Sequence, residues 1–322
     1  MDSALRPMST GQVLDRTFHL YRNNFLLFAG ISALPPAVVL LAQAASSVLS
    51  FIPAPQVDNV TAETLLVLGV IVMVVAYLLA LSLATGATVY AVSRTHLGHS
   101  VRISESYKVI RPLLGRIVRI VVSVAIRFTG AFVVAVVVGF VPITLIRLLS
   151  ISADPTTVRI IAWGGGLLTV VAVIVCVLWA IRLYCSYQLA VPACVLELRG
   201  AVDCLKRSRF LSKGKGVQRI LLVLFLTAIL TYVLSLALSL PVLVLAMFTN
   251  LDQASGLAVP AAIWQAIAGF AAGTIAGPIV TIALALLYYD ERVRKEAFDL
   301  QLLMEAVGEQ TQMQAVSAAP PA

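Results

Sequence analysis

The sequence predicts an all-α, polytopic membrane protein, and three observations carry that expectation: composition, six long apolar runs, and a one-sided distribution of basic residues. Of the 322 residues, 60% are hydrophobic and 12% charged, with a mean hydropathy of +0.99; soluble domains carry about 25% charged residues. A core surrounded by water has no room for that much apolar surface, so the bilayer is the expected solvent.

Six runs, near residues 25–49, 65–89, 118–145, 160–184, 220–247 and 261–287, can each cross about 30 Å of hydrocarbon, which takes roughly 20 helical residues. They are continuously apolar, without the period-two alternation of a membrane barrel. The first is too long for a cleaved signal peptide, contains Pro35 and Pro36, and is followed by further spans. One six-span membrane domain is therefore expected over residues 1–303, with a disordered, Ala/Pro-rich tail over 304–322.

Orientation follows from the basic residues. The segment before the first run, the second and fourth connections and the C-terminal segment together hold 19 of the 23 Lys and Arg. By the positive-inside rule both termini are cytoplasmic. Trp163 and Trp264, at the outer ends of spans four and six, suit an interfacial aromatic belt.

The net charge of +8 is thus largely topological, and its spread over four span-flanking segments argues against a nucleic-acid partner. The four cysteines lie in or on the cytoplasmic side of span four, are expected as free thiols, and match no zinc spacing. His96 and His99 have no nearby acid or Cys, so a solvated loop outweighs a metal site. Lys213-Gly214-Lys215-Gly216 lacks the leading Gly and trailing Ser or Thr of a phosphate loop and reads as a basic linker. No Asp, Glu or His stands mid-span, so no proton relay is expected, and no catalytic residue, cofactor or metal either.

The cytoplasmic segments share a pattern. Before span one, Leu14, Phe18, Tyr21 and Phe25 form an apolar stripe, and Ser9 with Gln12 makes a capping box. Before span three the stripe is Tyr107, Ile110, Leu114 and Ile117, with Ser104 as cap; before span five it is Ala201, Cys204, Ser208 and Leu211. An acid precedes bases in each, as the helix dipole favours. Either a unit of one interfacial helix and two spans is used three times, with a period of roughly 90 to 95 residues, or any basic segment entering a membrane takes this form.

Gly269, Gly273 and Gly277 recur at four-residue steps in span six, a spacing that lets helix backbones approach closely. Pro142, Pro241 and Pro278 are each expected to kink a span, or, for Pro142 so near the end of span three, to help terminate it. Arg127 lies ten residues into its apolar run, about 15 Å deep, unless its side chain snorkels back. Arg182 falls at the inner boundary of span four, as a simple anchor or paired with Glu197 or Asp290. Gln188 and Pro192 mark a turn beyond it. Arg182, Arg207 and Arg209 are candidate ligands for one lipid phosphate, since the guanidinium fork binds such oxygens in pairs.

Several stretches resemble the bacterial glycerophosphoryl diester phosphodiesterase membrane-domain family. They are Leu5-Arg6-Pro7-Met8-Ser9 and Leu14-Asp15-Arg16-Thr17-Phe18, then Ala190-Val191-Pro192-Ala193 with Glu197, Arg207 and Leu211, and finally Leu287-Tyr288-Tyr289-Asp290 with Arg292-Val293-Arg294. The resemblance implies a six-helix bacterial inner-membrane protein with no catalytic residues in its membrane part. After Leu303 about twenty residues remain, too few for the phosphodiesterase barrel of about 250 residues, so the enzyme activity is not carried over. The expectation is a non-enzymatic membrane protein whose basic inner face binds anionic membrane lipid or organises lipid-metabolism partners; the alternative is a transporter or lipid translocator.

Overall fold

The computed structural model describes residues 8–51, 59–96, 98–149, 155–198, 200–248 and 255–296; the expected tail over 304–322 lies outside them. Eleven α-helices follow in order among these residues: α1 Thr10–Asn23, α2 Phe25–Ser32, α3 Leu34–Phe51, α4 Asn59–His96, α5 Ile103–Ile110, α6 Leu114–Leu149, α7 Pro155–Tyr187, α8 Ala190–Glu197, α9 Ala201–Ser212, α10 Lys215–Phe248 and α11 Ser255–Glu296. There is no strand among the described residues. Five helical stretches are long and apolar enough to cross a membrane, and α2 with α3, bent by 46°, makes a sixth. The protein is an all-α polytopic membrane protein.

A short helix followed by two long apolar stretches occurs three times in the element order: α1 before α2/α3 and α4, α5 before α6 and α7, α9 before α10 and α11. The most extensive packing falls within the pairs α6/α7, α10/α11 and α3/α4, so each repeat of the order closes as a hairpin. The helix α11 is the central one: 56% of its most apolar stretch is buried, against 6% for that of α4. Around its second half, from Ile279 to Tyr288, the core gathers Phe28, Ile31, Ile110, Ile117, Leu211 and Ile220. With Val13 of α1 and Ala193 of α8, these come from every short helix and from the starts of α6 and α10, so the packed core sits at the end bearing the short helices. Away from that end, many large apolar residues of α4, α6, α7 and α10 are exposed, as lipid-facing surfaces are.

The short helices pack into this core rather than merely resting beside it. On α9 the expected stripe is the buried face: Ala201, Cys204, Ser208 and Leu211 are all buried. On α1 the buried face is Val13, Thr17 and Tyr21, while Phe18, and Phe25 at the start of α2, remain 44% and 41% exposed. The packed face is therefore turned by about one residue from the expected one. The Thr17 hydroxyl makes this feasible because it donates to the Val13 carbonyl at 2.7 Å and enters the core satisfied. Ser9 and Gln12 form the expected reciprocal capping box. The second cap differs: α5 begins at Ile103 behind Arg102, without a side-chain cap. Gln188 and Leu189 form the turn that ends α7, and Pro192 lies in the first turn of α8.

Prolines place the bend. A proline at position i leaves the carbonyl at i−4 without its helical donor. Pro35 and Pro36 free two successive carbonyls, those of Ile31 and Ser32, and the helix breaks at Ala33. The Tyr107 hydroxyl of α5 donates to the Ile31 carbonyl at 2.6 Å. Pro142, Pro241 and Pro278 instead lie inside continuous helices. At Pro278 the freed Thr274 carbonyl accepts from Ser32 Oγ at 3.0 Å, and the adjacent Ile275 carbonyl accepts from the Tyr21 hydroxyl at 2.8 Å. Near Pro241 the Leu238 carbonyl accepts from Trp264 Nε1 at 2.9 Å. At the freed carbonyls of Ile31 and Thr274, donors from neighbouring helices thus supply what hydrocarbon cannot.

Candidate functional site

Two charged constellations occupy the end of the bundle where the core sits, and they differ in balance. The first is neutralised. Arg219 of α10 pairs with Asp290 and with Glu291, the latter at 2.7 Å, and donates to the Met8 carbonyl at 2.9 Å. Asp290 also accepts from the Met8 amide at 2.5 Å and from Arg294 Nε at 2.9 Å. Beside it, Glu197 accepts from Arg207 at 3.1 Å and from the Tyr288 hydroxyl, and Arg207 reaches on to Glu296. Burial works against the Arg207 charge, but Glu296 and Glu197 outweigh it and hold its pKa above the ordinary arginine value. Lys295 donates to the carbonyls of Leu211 and, at 2.8 Å, Lys213, tying down the end of α9. The terminal turns of α11 therefore clasp α1, α8, α9 and α10 together.

The second constellation has no acid. Where α9 crosses α6 and α7, Arg119, Arg127, Lys206 and Arg209 line a pocket of about 270 Å³ with Tyr187 and Ser123. Arg119, Ser123 and Arg127 share one face of α6 at four-residue steps, and helical side chains lean toward the N-terminus. Arg127 accordingly reaches back to donate to the Ser123 carbonyl at 3.0 Å. Its guanidinium lies 5.3 Å from the Tyr187 ring centroid, and that of Arg209 lies 5.9 Å from it. Both distances fall within the about 6 Å of a cation–π contact. No Asp or Glu is among the lining residues, although Asp203 stands one turn from Lys206 on α9, outside the pocket.

Beside this pocket lies an apolar cavity of about 650 Å³ between α4, α6, α7, α8 and α11, lined by Leu78, Val124, Phe128, Tyr187 and Leu284 among others. A second cavity, of about 400 Å³, lies at the α2/α3 bend against α4 and α11 and shares Leu81, Thr85, Gly277, Val280 and Thr281 with the first. No Asp, Glu, Lys, Arg or His lines either.

Of the three arginines expected around one phosphate, the fold brings only Arg209 to the basic pocket. Arg207 is held by Glu197 and Glu296. Arg182 is exposed on α7 and does not line the pocket; among the described residues Glu197 and Asp290 take other cations. Arg127 joins the pocket instead. Arg119 and Lys206 were missed, because Arg119 read only as a topological charge; its four-residue register with Ser123 and Arg127 was the available signal. Among the glycines, a Cβ on Gly273 would meet Pro36 Cβ at 3.1 Å and one on Gly277 would meet Ser32 Cβ at 3.6 Å, whereas one on Gly269 would have nothing within 4 Å.

All four cysteines are free. The hydrogen bond with Cys194, together with burial, pushes the Cys204 thiol well above its ordinary pKa, so it is protonated and a poor nucleophile. Among the described residues no group of three or more His, Cys, Asp or Glu could hold a metal ion.

Fold and site together define a polytopic helical membrane protein with an acid-free basic pocket at one end of its bundle. The chain belongs to the family described as "Domain of unknown function (DUF7847)", whose model matches residues 8–291. No curated protein and no solved structure matches it.

Proposed function

We propose that this is a non-enzymatic, multi-pass protein of the bacterial cytoplasmic membrane that binds the phosphate of an anionic lipid at its cytoplasmic face, in the pocket of Arg119, Arg127, Lys206 and Arg209. The observation that carries this reading is a pocket whose lining holds four cations and no acid, two of the cations lying over Tyr187. Guanidinium forks suit phosphate oxygens, and each basic residue near an anionic surface contributes about 1 kcal/mol. The likeness to the phosphodiesterase membrane-domain family supports the choice of membrane. Orientation rests on the positive-inside rule: Arg119, Lys206 and Arg209 of the basic pocket belong to the segments that hold most of the Lys and Arg, and Arg127 reaches back toward them from span three. A second reading, a lipid translocator, draws on the broken first span and the two adjoining cavities. Their apolar lining favours a lipid over an ion or a polar solute.

Removing the Arg127 and Arg209 charges together (Arg127→Ala, Arg209→Ala) is expected to lower retention of phosphatidylglycerol about 30-fold, from two contacts of about 1 kcal/mol each. Both side chains are exposed, so the melting temperature should hold. Native mass spectrometry at equal ionic strength reads the retained lipid, with Arg182→Ala, Arg116→Ala as the matched loss of two exposed charges outside the pocket. Equal retention in all three proteins would sink the proposal. For orientation, single cysteines at Ser100 and Ser212 in a cysteine-free background are expected to stay unlabelled by a membrane-impermeant thiol reagent in intact cells. Labelling there would invert the topology.

A further inference from the structure

We infer that the lipid held by this pocket inserts one full-length acyl chain into the 650 Å³ cavity, so that the protein takes up a single phospholipid from the bilayer rather than merely attracting an anionic surface. This rests on the phosphate reading above and adds the other half of the ligand. Tyr187 is the shared wall: it lines the basic pocket and the apolar cavity alike. Its side is set by α6, whose Arg119, Ser123 and Arg127 face the pocket while Val121, Val124 and Phe128 face the cavity. Pocket and cavity therefore lie at the same level of α6 and adjoin at Tyr187 of α7, the point past which one molecule would run its apolar chain from an anionic group.

The cavity itself selects the chain. Its volume lies within the roughly 300–1,000 Å³ of small-molecule sites, and its walls are mostly aliphatic and aromatic. Gln188, Thr85 and Thr281 are its main polar groups besides the tyrosines, and it has no charge to hold a second headgroup. Tyr187, 8% exposed, carries Arg127 and Arg209 on its ring. A chain packed against that ring would steady the guanidiniums that hold the phosphate. Inorganic phosphate or a soluble headgroup fills only the basic half.

The test uses the full chain in nanodiscs containing a trace of phosphatidylglycerol with a photoactivatable diazirine midway along one acyl chain. Crosslinks are expected at cavity residues such as Val124, Phe128 and Leu284, and Ala125→Phe or Val280→Phe should reduce them at least tenfold by filling the space. Labelling at outward-facing Ile126 and Phe132, both exposed, should be unchanged. Crosslinks confined to those outward faces in the unaltered protein would overturn the inference, and that measurement needs no variant to fold. If the Arg127→Ala, Arg209→Ala protein still loses phosphatidylglycerol while the cavity stays unlabelled, the acyl-chain inference falls alone and the phosphate site stands. If that protein retains lipid like the unaltered one, the phosphate reading falls first. Crosslinking that persists in both cavity-filling variants, once each melts like the unaltered protein, also counts against the inference.

Discussion

Arg219→Ala is expected to destabilise the folded protein by about 3 kcal/mol, near the lower end of the roughly 3–5 kcal/mol for breaking a buried ion pair from one side. The reason is what remains. The side chain of Asp290 is fully buried and that of Glu291 is 4% exposed; without Arg219 two adjacent carboxylates stay in the core with fewer partners. Arg294 still reaches Asp290 at 2.9 Å and Lys295 reaches Glu291 at 3.7 Å, which keeps the loss from being larger. The Met8 carbonyl loses a donor as well, so the start of α1 should loosen along with the joint between α10 and α11. Arg219→Lys restores charge without the fork that spans both acids and Met8, and is expected to recover about half the loss. Thermal melting of the detergent-solubilised protein measures all of this, with Arg182→Ala, an exposed charge outside the clasp, expected within about 0.5 kcal/mol of the unaltered protein. A melting temperature for Arg219→Ala equal to that of the unaltered protein would show that the clasp contributes nothing.

The clasp also marks how far the sequence could be read. Long apolar runs make spans legible because hydrocarbon demands an internally bonded helix of fixed length, and the six runs coincide with α2/α3, α4, α6, α7, α10 and α11. The helix bounds extend past the runs, since a helix continues into the polar zone where no apolar signal marks it. The Tyr288, Asp290, Arg292 and Arg294 motif was visible, but its role was not: Asp290 meets Met8 and Arg219 across 282 and 71 residues of chain. Glu197 is legible as one candidate partner of Arg182, yet Arg207 takes it, because the turn at Gln188 and Leu189 folds α8 and α9 back onto the bundle. The stripe on α1 misled in a physical way. Hydrophobic periodicity ranks Phe18 above Thr17, whereas a threonine bonded to its own helix is small enough for a tight crossing and the phenylalanine can face lipid instead. The basic pocket was the least legible feature, since Arg119 and Lys206 stand 87 residues apart and only the crossing of α6 by α9 unites them.

The three glycines of α11 give the last expectation, because the sequence treats them as equivalent and the structure does not. Gly273→Leu is expected to cost about 1–3 kcal/mol, the range of an overpacked contact, whereas Gly269→Leu is expected within about 0.5 kcal/mol of the unaltered protein. A Cβ at 273 would stand 3.1 Å from Pro36 Cβ and 3.4 Å from its Cγ. Proline is the neighbour least able to yield, since its ring has no side-chain rotamer to exchange and its φ is fixed. Relief must then come from separating α3 from α11 at the α2/α3 bend. That movement would stretch the bond from Ser32 Oγ to the Thr274 carbonyl, which Pro278 has left without a helical donor. The adjoining 400 Å³ cavity, which Gly273 lines, offers room for the outer atoms of the leucine but not for its Cβ, so the penalty persists whichever rotamer is taken. Melting of the two variants side by side decides the matter: equal stabilities would mean that small residues on this face merely adjoin lipid, while a loss confined to Gly273→Leu would locate the close helix approach at Pro36.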